Sequence, residues 1–271
     1  MELSIVIIEY HCADQVSDCV KSIVEHLHNV KKEILVISNS EYSKQQLTAL
    51  ESDLSEANII DAHGNLGYAG GVNTGLKHAS GEFVYVLNPD CLLTDSNVTM
   101  IMDEMRKDKD WAIAGPKVVD ENNVVQPSCR SFPKPWTFLL VRSALSVLPG
   151  AASERRRYLM EDFDRNSIRE VDWVSGGATL VKSSSISEIG GMDERYFLYM
   201  EDVDWSHNCW NKGYKVKYIP VSTVIHAGQH QSIHGSILSK ILSKHVRMHL
   251  VSMFKYFLKH GFFLRLKPHS L

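Results

Sequence analysis

Phe83-Val-Tyr-Val-Leu87, running without a break into Asn88-Pro-Asp90, decides how this chain folds. Apolar and β-prone side chains bounded by turn formers predict a strand buried on both faces, the kind that parallel sheets use. Toward the N-terminus, Leu3–Ile8 and Ile34–Ile37 are two more such runs, and Ile59-Ile60 is a weaker one. Between the first two, Val16, Val20, Ile23, Val24 and Leu27 recur at helical spacing. Strands alternating with helices predict βαβ units, hence an α/β fold with a mostly parallel central sheet flanked by helices. Such sheets bind ligands beyond the carboxyl ends of their strands. The loops after Ile8, Ile37, Ile60 and Leu87 are therefore the first places to look for a site.

The chain has 271 residues, enough for a substantial core, with 44% hydrophobic and 23% charged side chains, as in ordinary soluble globular proteins. A net charge of −3 gives no case for nucleic acid. The five cysteines are scattered and form no C-x-x-C pair, so neither a zinc knot nor a disulfide framework is expected and a reducing compartment fits. Met-Glu-Leu-Ser leads directly into a strand-like run, so no secretory signal is expected; nor is any uncharged stretch long enough to span a bilayer. The expectation is a cytoplasmic protein.

Past Asn122 the pattern weakens. Leu139–Arg169 carries an apolar patch, Pro149-Gly150 and the basic run Arg155-Arg156-Arg157, which reads as an excursion or mobile loop over the sheet. Regular signals resume at Trp173-Val-Ser-Gly-Gly-Ala-Thr-Leu-Val181. Gly190-Gly-Met-Asp-Glu-Arg-Tyr-Phe-Leu-Tyr-Met-Glu-Asp-Val-Asp204 then sets an acidic cluster among aromatic neighbours. Carboxylates there are costly to bury unless something uses or pairs them, which makes Glu201, Asp202 and Asp204 candidates for chemistry. Equally, Glu201 and Asp202 suit the positive end of a helix dipole. Three further features are ambiguous in the same way. Gly67-Tyr-Ala-Gly-Gly-Val-Asn-Thr-Gly75 reads either as backbone approaching an anion at a helix start or as a turn into a packed helix. Asn88-Pro-Asp90 reads as a cation-binding carboxylate or as a plain turn. His226, after the run Val221–Ile225, is a structural histidine or, with Asp90, half of an O/N site for Mn²⁺ or Mg²⁺.

In order, the chain carries a strand start with Tyr10, the N-x-G-Y-A-G-G-x-N turn from Asn65, N-P-D, W-V-S-G-G, G-G-M-D-E-R-Y-F-L-Y-M-E-D and finally V-I-H. From about Leu3 to His226 this closely resembles the family 2 inverting glycosyltransferases of the GT-A fold, and most nearly their bacterial rhamnosyltransferase-like branch, which builds surface polysaccharide of the O-antigen or capsule type. The resemblance implies transfer of rhamnose or another hexose from a dTDP- or UDP-sugar to a hydroxyl of a growing, lipid-linked glycan. It implies Asp202, paired with Glu201, as general base, and Asp90 with His226 as ligands of a divalent metal. Tyr10, Glu9, Ser38, Asn65, Gly67, Gly71, Asn73, Asn88 and Asp90 would border the donor. Trp173, Gly176, Gly177 and Asp193 would shape the acceptor and sugar pocket. One in-line displacement needs one base for the hydroxyl and one Lewis acid for the leaving diphosphate.

Three departures from the family pattern stand out. Glu9 precedes Tyr10 where Thr or Asn is common, and His11 replaces the usual Asn. The second strand reads Val36-Ile-Ser38-Asn39 where the family places a nucleoside-holding Asp. The first acid of the metal motif is Asn88. Glu9 would supply the missing nucleoside contact, or the donor is a different one. These departures keep open a non-catalytic nucleotide-sugar- or glycan-binding relative, and the α/β core alone also admits a sugar nucleotidyltransferase.

Residues 1–235 are expected to form the catalytic domain and residues 236–271 a basic helical extension. The extension carries Lys240, Lys244, Arg247, Lys255, Lys259, Arg265 and Lys267 and no acidic side chain. Val246, Leu250, Met253, Phe254, Phe257 and Leu258 fall on one helical stripe, the pattern of a helix lying on the inner face of a membrane. The alternative is a helix packed on the catalytic domain or on a second subunit of a homodimer.

Overall fold

A computed structural model describes residues 1–142, 144–227 and 244–262. The N-terminal part alternates as expected: β1 (Leu3–Glu9), α1 (Ala13–His26), β2 (Lys32–Ser38), α2 (Lys44–Asp53), β3 (Asn58–Asp61), α3 (Gly67–His78) and β4 (Phe83–Leu87). There follow β5 (Cys91–Leu93), α4 (Val98–Lys107), β6 (Trp111–Val119), β7 (Cys129–Arg130), α5 (Thr137–Arg142) and α6 (Ala151–Leu159). The chain continues through β8 (Arg169–Glu170), β9 (Trp173–Val174), β10 (Ala178–Lys182), α7 (Ser183–Ile189), α8 (Glu201–Asn211), β11 (Lys215–His226) and α9 (Lys244–His260).

The main sheet runs β3-β2-β1-β4-β10-β6-β11-β5, with β8 pairing beside β11. β3, β2, β1 and β4 are mutually parallel. β10 inserts antiparallel between β4 and β6, and β6 runs parallel to β11, so most strands share one direction. Every residue of β1 is buried, because β1 is hydrogen-bonded on both edges and covered on both faces. One face packs against α1, α2 and α4 through residues such as Ile5, Ile7, Val16, Ile23 and Met102. The other packs against α3, α7 and α8 through Val6, Ile8, Val72, Ile189 and Trp205.

The stretch expected to be an excursion or mobile loop is instead built from α5 and α6, joined by a short 3₁₀ turn at Ala144–Val147. Tyr158 of α6 is fully buried and, with Phe132, Trp173, Tyr196, Met200 and Val203, nucleates a third core that α9 closes with Tyr256 and Phe257. The apolar run thus has a partner that sequence periodicity could not supply.

α9 packs on α8, and its amphipathic stripe is split. Met253 and Phe257 turn inward; Leu250, Phe254 and Leu258 stay exposed. Lys259 donates to the fully buried Asp204 at 2.7 Å, and His260 meets the same carboxylate at 2.6 Å. The boundary at 235 and 236, with Lys240, Arg265 and Lys267, lies outside the described residues. Among the described residues no helix is long and apolar enough to cross a membrane.

His207 of α8 sits in this interface. Its ring stacks on His260 with centroids 3.8 Å apart, and Nδ1 lies 2.9 Å from the Tyr256 hydroxyl. Burial, and after it His260, pushes its pKa down to about 3; Asp204 opposes the shift and Lys259 adds to it. The unfolded imidazole titrates near 6.5. Between those values the unfolded chain binds the extra proton, so stability falls as pH drops through the window, by up to about 1.4 kcal/mol per pH unit. Urea melts at pH 7, 6 and 5 should show this loss, and His207→Gln should flatten it; an unchanged slope in the variant would refute the assignment.

Candidate active site

Strand order reverses between β1 and β4, so the loops that leave their carboxyl ends lie side by side. On the β1 side, Glu9 is completely buried. Its carboxylate accepts hydrogen bonds from the hydroxyls of Ser38 (3.1 Å), Ser40 (3.1 Å) and Tyr42 (2.9 Å), and from the Cys12 N–H (3.0 Å). Four donors leave it little capacity for a ligand. Glu9 therefore fills the space that Ser38 leaves and braces the loops after β1 and β2, rather than serving as the displaced nucleoside contact read from the sequence. Beside it is an open cavity of about 500 Å³ bordered by His11, Gln15 and Tyr42, with Tyr10 half exposed next to the His11 ring.

On the β4 side, His226 ends β11 directly opposite Cys91 of β5. The carboxamide of Gln126 donates to the His226 carbonyl at 3.0 Å, which fixes the amide orientation. Its Oε1 then faces His226 Nδ1 at 3.3 Å and takes the ring proton in the neutral form. That turns the bare Nε2 toward Asp90 Oδ1, 3.3 Å away, a buried oxygen with no hydrogen-bond partner. A nitrogen lone pair and an orphaned carboxylate oxygen facing each other fit a shared divalent cation, and the Cys91 sulfur lies within 4.8 Å of both. Asn88 is pinned at its N–H by the Gly177 carbonyl at 2.9 Å.

The acidic pair opens α8. The turn before it holds Tyr199 and Met200 at φ of 69° and 72°, a left-handed conformation that is strained for residues with a Cβ. The helix that follows this turn packs against β9. Asp202 accepts from the N–H of Gly176 at 3.0 Å and of Val203 at 2.8 Å. Glu201 is buried, and its Oε2 has no partner. Burial raises both carboxyls above their usual range, with Asp202 raising Glu201 further; for Asp202 the backbone donors and Arg130 push the other way. The upward push is the stronger for Glu201, so Glu201 is the member of the pair that holds a proton more readily and Asp202 the one that ionises first. An ionised carboxylate with a raised proton affinity, open to a cavity, is equipped to take a proton from a hydroxyl.

That cavity, about 160 Å³, is walled by Arg130, Tyr158, Trp173, Tyr199 and His249, with Glu201 and Asp202 on its floor. A second, of about 120 Å³, is bordered by His226, Cys91, Gly177 and Gln126. Arg130 and Ser175 line both.

Other sequence candidates serve the framework. Gly71 faces Ile8, where a Cβ would come within 2.9 Å of Cγ2, and Gly67, at φ 72°, lies under the Phe197 carbonyl. The glycine-rich turn therefore packs α3 tightly on β1 instead of exposing backbone to an anion. Asn65 caps that turn by accepting from the Gly67 N–H. Asn73 clips the Met192 backbone with both its amide groups and also donates to Glu194. Asp193 borders none of these cavities: the Arg195 guanidinium, and after it Lys259, hold its carboxyl well below the usual range. Sequence reading missed Gln126, Arg130, Tyr68, whose hydroxyl donates to the Gly176 carbonyl at 2.6 Å, and His249. Cys129-Arg-Ser-Phe132, where periodicity fades, was a weak signal of Arg130; nothing local marked the others.

Comparison with known proteins identifies the fold and the family. Among solved structures, GalNAc-T7 with UDP, GalNAc and Mn²⁺ superposes at a TM-score of 0.62 and 16% identity, over 83% of this chain and 44% of that one. A mannosyltransferase of Pyrobaculum calidifontis in complex with GDP-Man and Mn²⁺ gives 0.59 at 17% identity, over 96% of this chain and 65% of that one. At such identities the likeness establishes the fold, which is GT-A. In sequence, an N-acetylglucosaminyl-diphospho-decaprenol L-rhamnosyltransferase of Mycobacterium tuberculosis is 29% identical over 64% of this chain and 60% of its own length. The hexosyltransferase Agl10 of Haloferax volcanii, of low-salt glycan biosynthesis, is 23% identical over 83% and 67%. The rhamnosyltransferase WbbL of Escherichia coli is 33% identical over 32% and 30%. The chain thus spans about 60% of the length of the mycobacterial relative. The family model "Glycosyl transferase family 2" matches residues 4–166, more than half of the chain, and the chain belongs to that family.

Proposed function

We propose that this chain transfers one sugar, with inversion, from a nucleoside-diphosphate sugar to a hydroxyl of a lipid-linked glycan. The observation that carries the reading is the wall shared by two cavities, one holding the unequally charged Glu201–Asp202 pair and the other the facing Asp90 and His226. Asp202 accepts the proton of the attacking hydroxyl, while Glu201, protonated, keeps the pair singly charged. The Gly176 N–H orients the base. Asp90 and His226, with Gln126 behind, would hold a divalent metal, Mn²⁺ or Mg²⁺, which when bound acts as Lewis acid toward the leaving diphosphate.

The mycobacterial relative favours an acceptor carried on a polyprenyl diphosphate and rhamnose as the donated sugar, with dTDP or UDP as the carrier. A lipid-linked acceptor needs the enzyme at a membrane surface. The exposed Leu250, Val251, Phe254 and Leu258 of α9, beside the exposed Lys244 and Arg247, suit an anionic bilayer. The enzyme then works on the cytoplasmic side, where nucleotide sugars are made.

Asp202→Asn should lower transfer by at least about 10²-fold while nucleotide affinity stays within about twofold; joint loss of both would make Asp202 structural. UDP, dTDP or GDP at about 100 times its Kd should stabilise the fold by roughly 2.7 kcal/mol in the presence of Mn²⁺ or Mg²⁺. EDTA or His226→Ala should remove most of that gain, and a melting temperature indifferent to all three nucleotides would sink the transferase reading. Phe254→Asp with Leu258→Asp should abolish cosedimentation with phosphatidylglycerol vesicles without lowering the melting temperature; undiminished binding would move the membrane contact off α9.

A further inference from the structure

Among the described residues Arg130 is the one cation that lines both cavities, and its two terminal nitrogens are unspent there. Nε donates to the Pro127 carbonyl at 2.8 Å, and the guanidinium carbon stands 5.1 Å from the Trp173 ring centre and 5.7 Å from that of Tyr158. The two terminal nitrogens donate to no described residue, and Arg130 forms no ion pair there, although Asp202 lines the same cavity. Among the described residues most other guanidinium groups engage carboxylates or carbonyls: Arg106 with Glu82 and Asp103, Arg157 with Glu154, Arg195 with Asp193. Aromatic rings hold the plane of Arg130 in place while leaving its fork of N–H donors open, the geometry that suits a bidentate oxyanion.

Position narrows the ligand. One side of the wall holds Asp90 and His226; the other holds Asp202. We propose that Arg130 is a phosphate-binding subsite at the junction of the donor and acceptor cavities. This inference rests on the transferase reading, which brings phosphate to that junction from two sources. One is the diphosphate that leaves the donor; the other is the diphosphate that carries the acceptor sugar. In the first case Arg130 binds the charge that develops on the departing oxygen; in the second it selects acceptors that are anionic next to the sugar.

The test measures binding by calorimetry for the wild type, Arg130→Gln and Arg130→Lys, with two pairs of probes. The donor arm compares UDP, dTDP and GDP, each with Mn²⁺, against the matching nucleoside. The acceptor arm compares geranyl diphosphate with geraniol. In at least one arm Arg130→Gln should weaken the phosphorylated probe by about tenfold or more, the scale of a charge-assisted hydrogen bond, and leave its neutral partner unchanged. Arg130→Lys, which keeps a point charge without the fork, should recover part of the loss and serves as the reading if the Gln variant unfolds. Loss confined to the donor arm assigns the leaving diphosphate, and loss confined to the acceptor arm assigns the acceptor phosphate. Equal weakening of charged and neutral probes would make Arg130 a mere packing residue and overturn the proposal. No change in either arm, with wild type binding a nucleotide, would overturn it and leave the transferase reading standing. A wild type that binds no nucleotide with Mn²⁺ would fell both.

Discussion

Asp204 has no exposed surface, and a carboxylate so placed must be paired or it destabilises the fold by several kcal/mol. Four side chains meet it: Lys259 and His260 from α9, Tyr196 from the loop before α8, and Asn208 one turn along α8. Two other elements, α9 and the preceding loop, are thereby tied to one point on α8. The same helix begins three residues earlier with Glu201 and Asp202, so the lock that fastens the C-terminal helix also fixes the direction from which the acidic pair enters its cavity. Lys259 extends the network to Asp193 and, through it, Arg195. The strained turn at Tyr199 and Met200 is held between these anchors, and such strain persists where surrounding contacts over-determine it.

From that anchoring follows a division of charge across the site. On the base side, two adjacent carboxyls in a half-closed aromatic pocket cannot both ionise cheaply, and the backbone N–H groups of Gly176 and Val203 decide in favour of Asp202. On the metal side, the orphaned Asp90 oxygen and the Gln126-oriented His226 form an acceptor pair with no proton between them in the neutral form. Arg130 lines both cavities, and its charge favours the ionised form of Asp202. α9 adds His249, stacked against Tyr199, to the wall of the acidic cavity, so the C-terminal helix is a structural part of the site as well as a surface element.

The residues most legible in the sequence were those whose role is announced by local pattern. Phe83–Leu87 and Leu3–Ile8 read as parallel strands because both faces are covered, and the carboxyl-end rule then led to Asp90. Glu201-Asp202 drew notice as carboxylates among aromatics. Glu9 and Gly71 misled for one reason: a buried acid and a glycine in a loop fit a ligand contact and a packing contact equally well, and only neighbours more than twenty residues away in sequence choose between them. Ser38, Ser40 and Tyr42 consumed the Glu9 carboxylate; Ile8 took the space at Gly71. Gln126 and Arg130 carry no periodic or motif signal, since their work lies in orienting His226 and bordering two cavities from an irregular segment.

By itself, the sequence determined the α/β class, the alternation of strands and helices in the N-terminal part, and the motif series that resembles family 2 glycosyltransferases, because hydrophobic period and turn chemistry act over a few residues. Only the tertiary structure decided which carboxylates are free and which are spent, that Leu139–Arg169 folds into helices under a third core, and that α9 docks on α8 while keeping an apolar face outward. Those outcomes depend on pairing between distant residues, and the free energy of a buried charge is set by the partner it finds in space rather than by its neighbours along the chain.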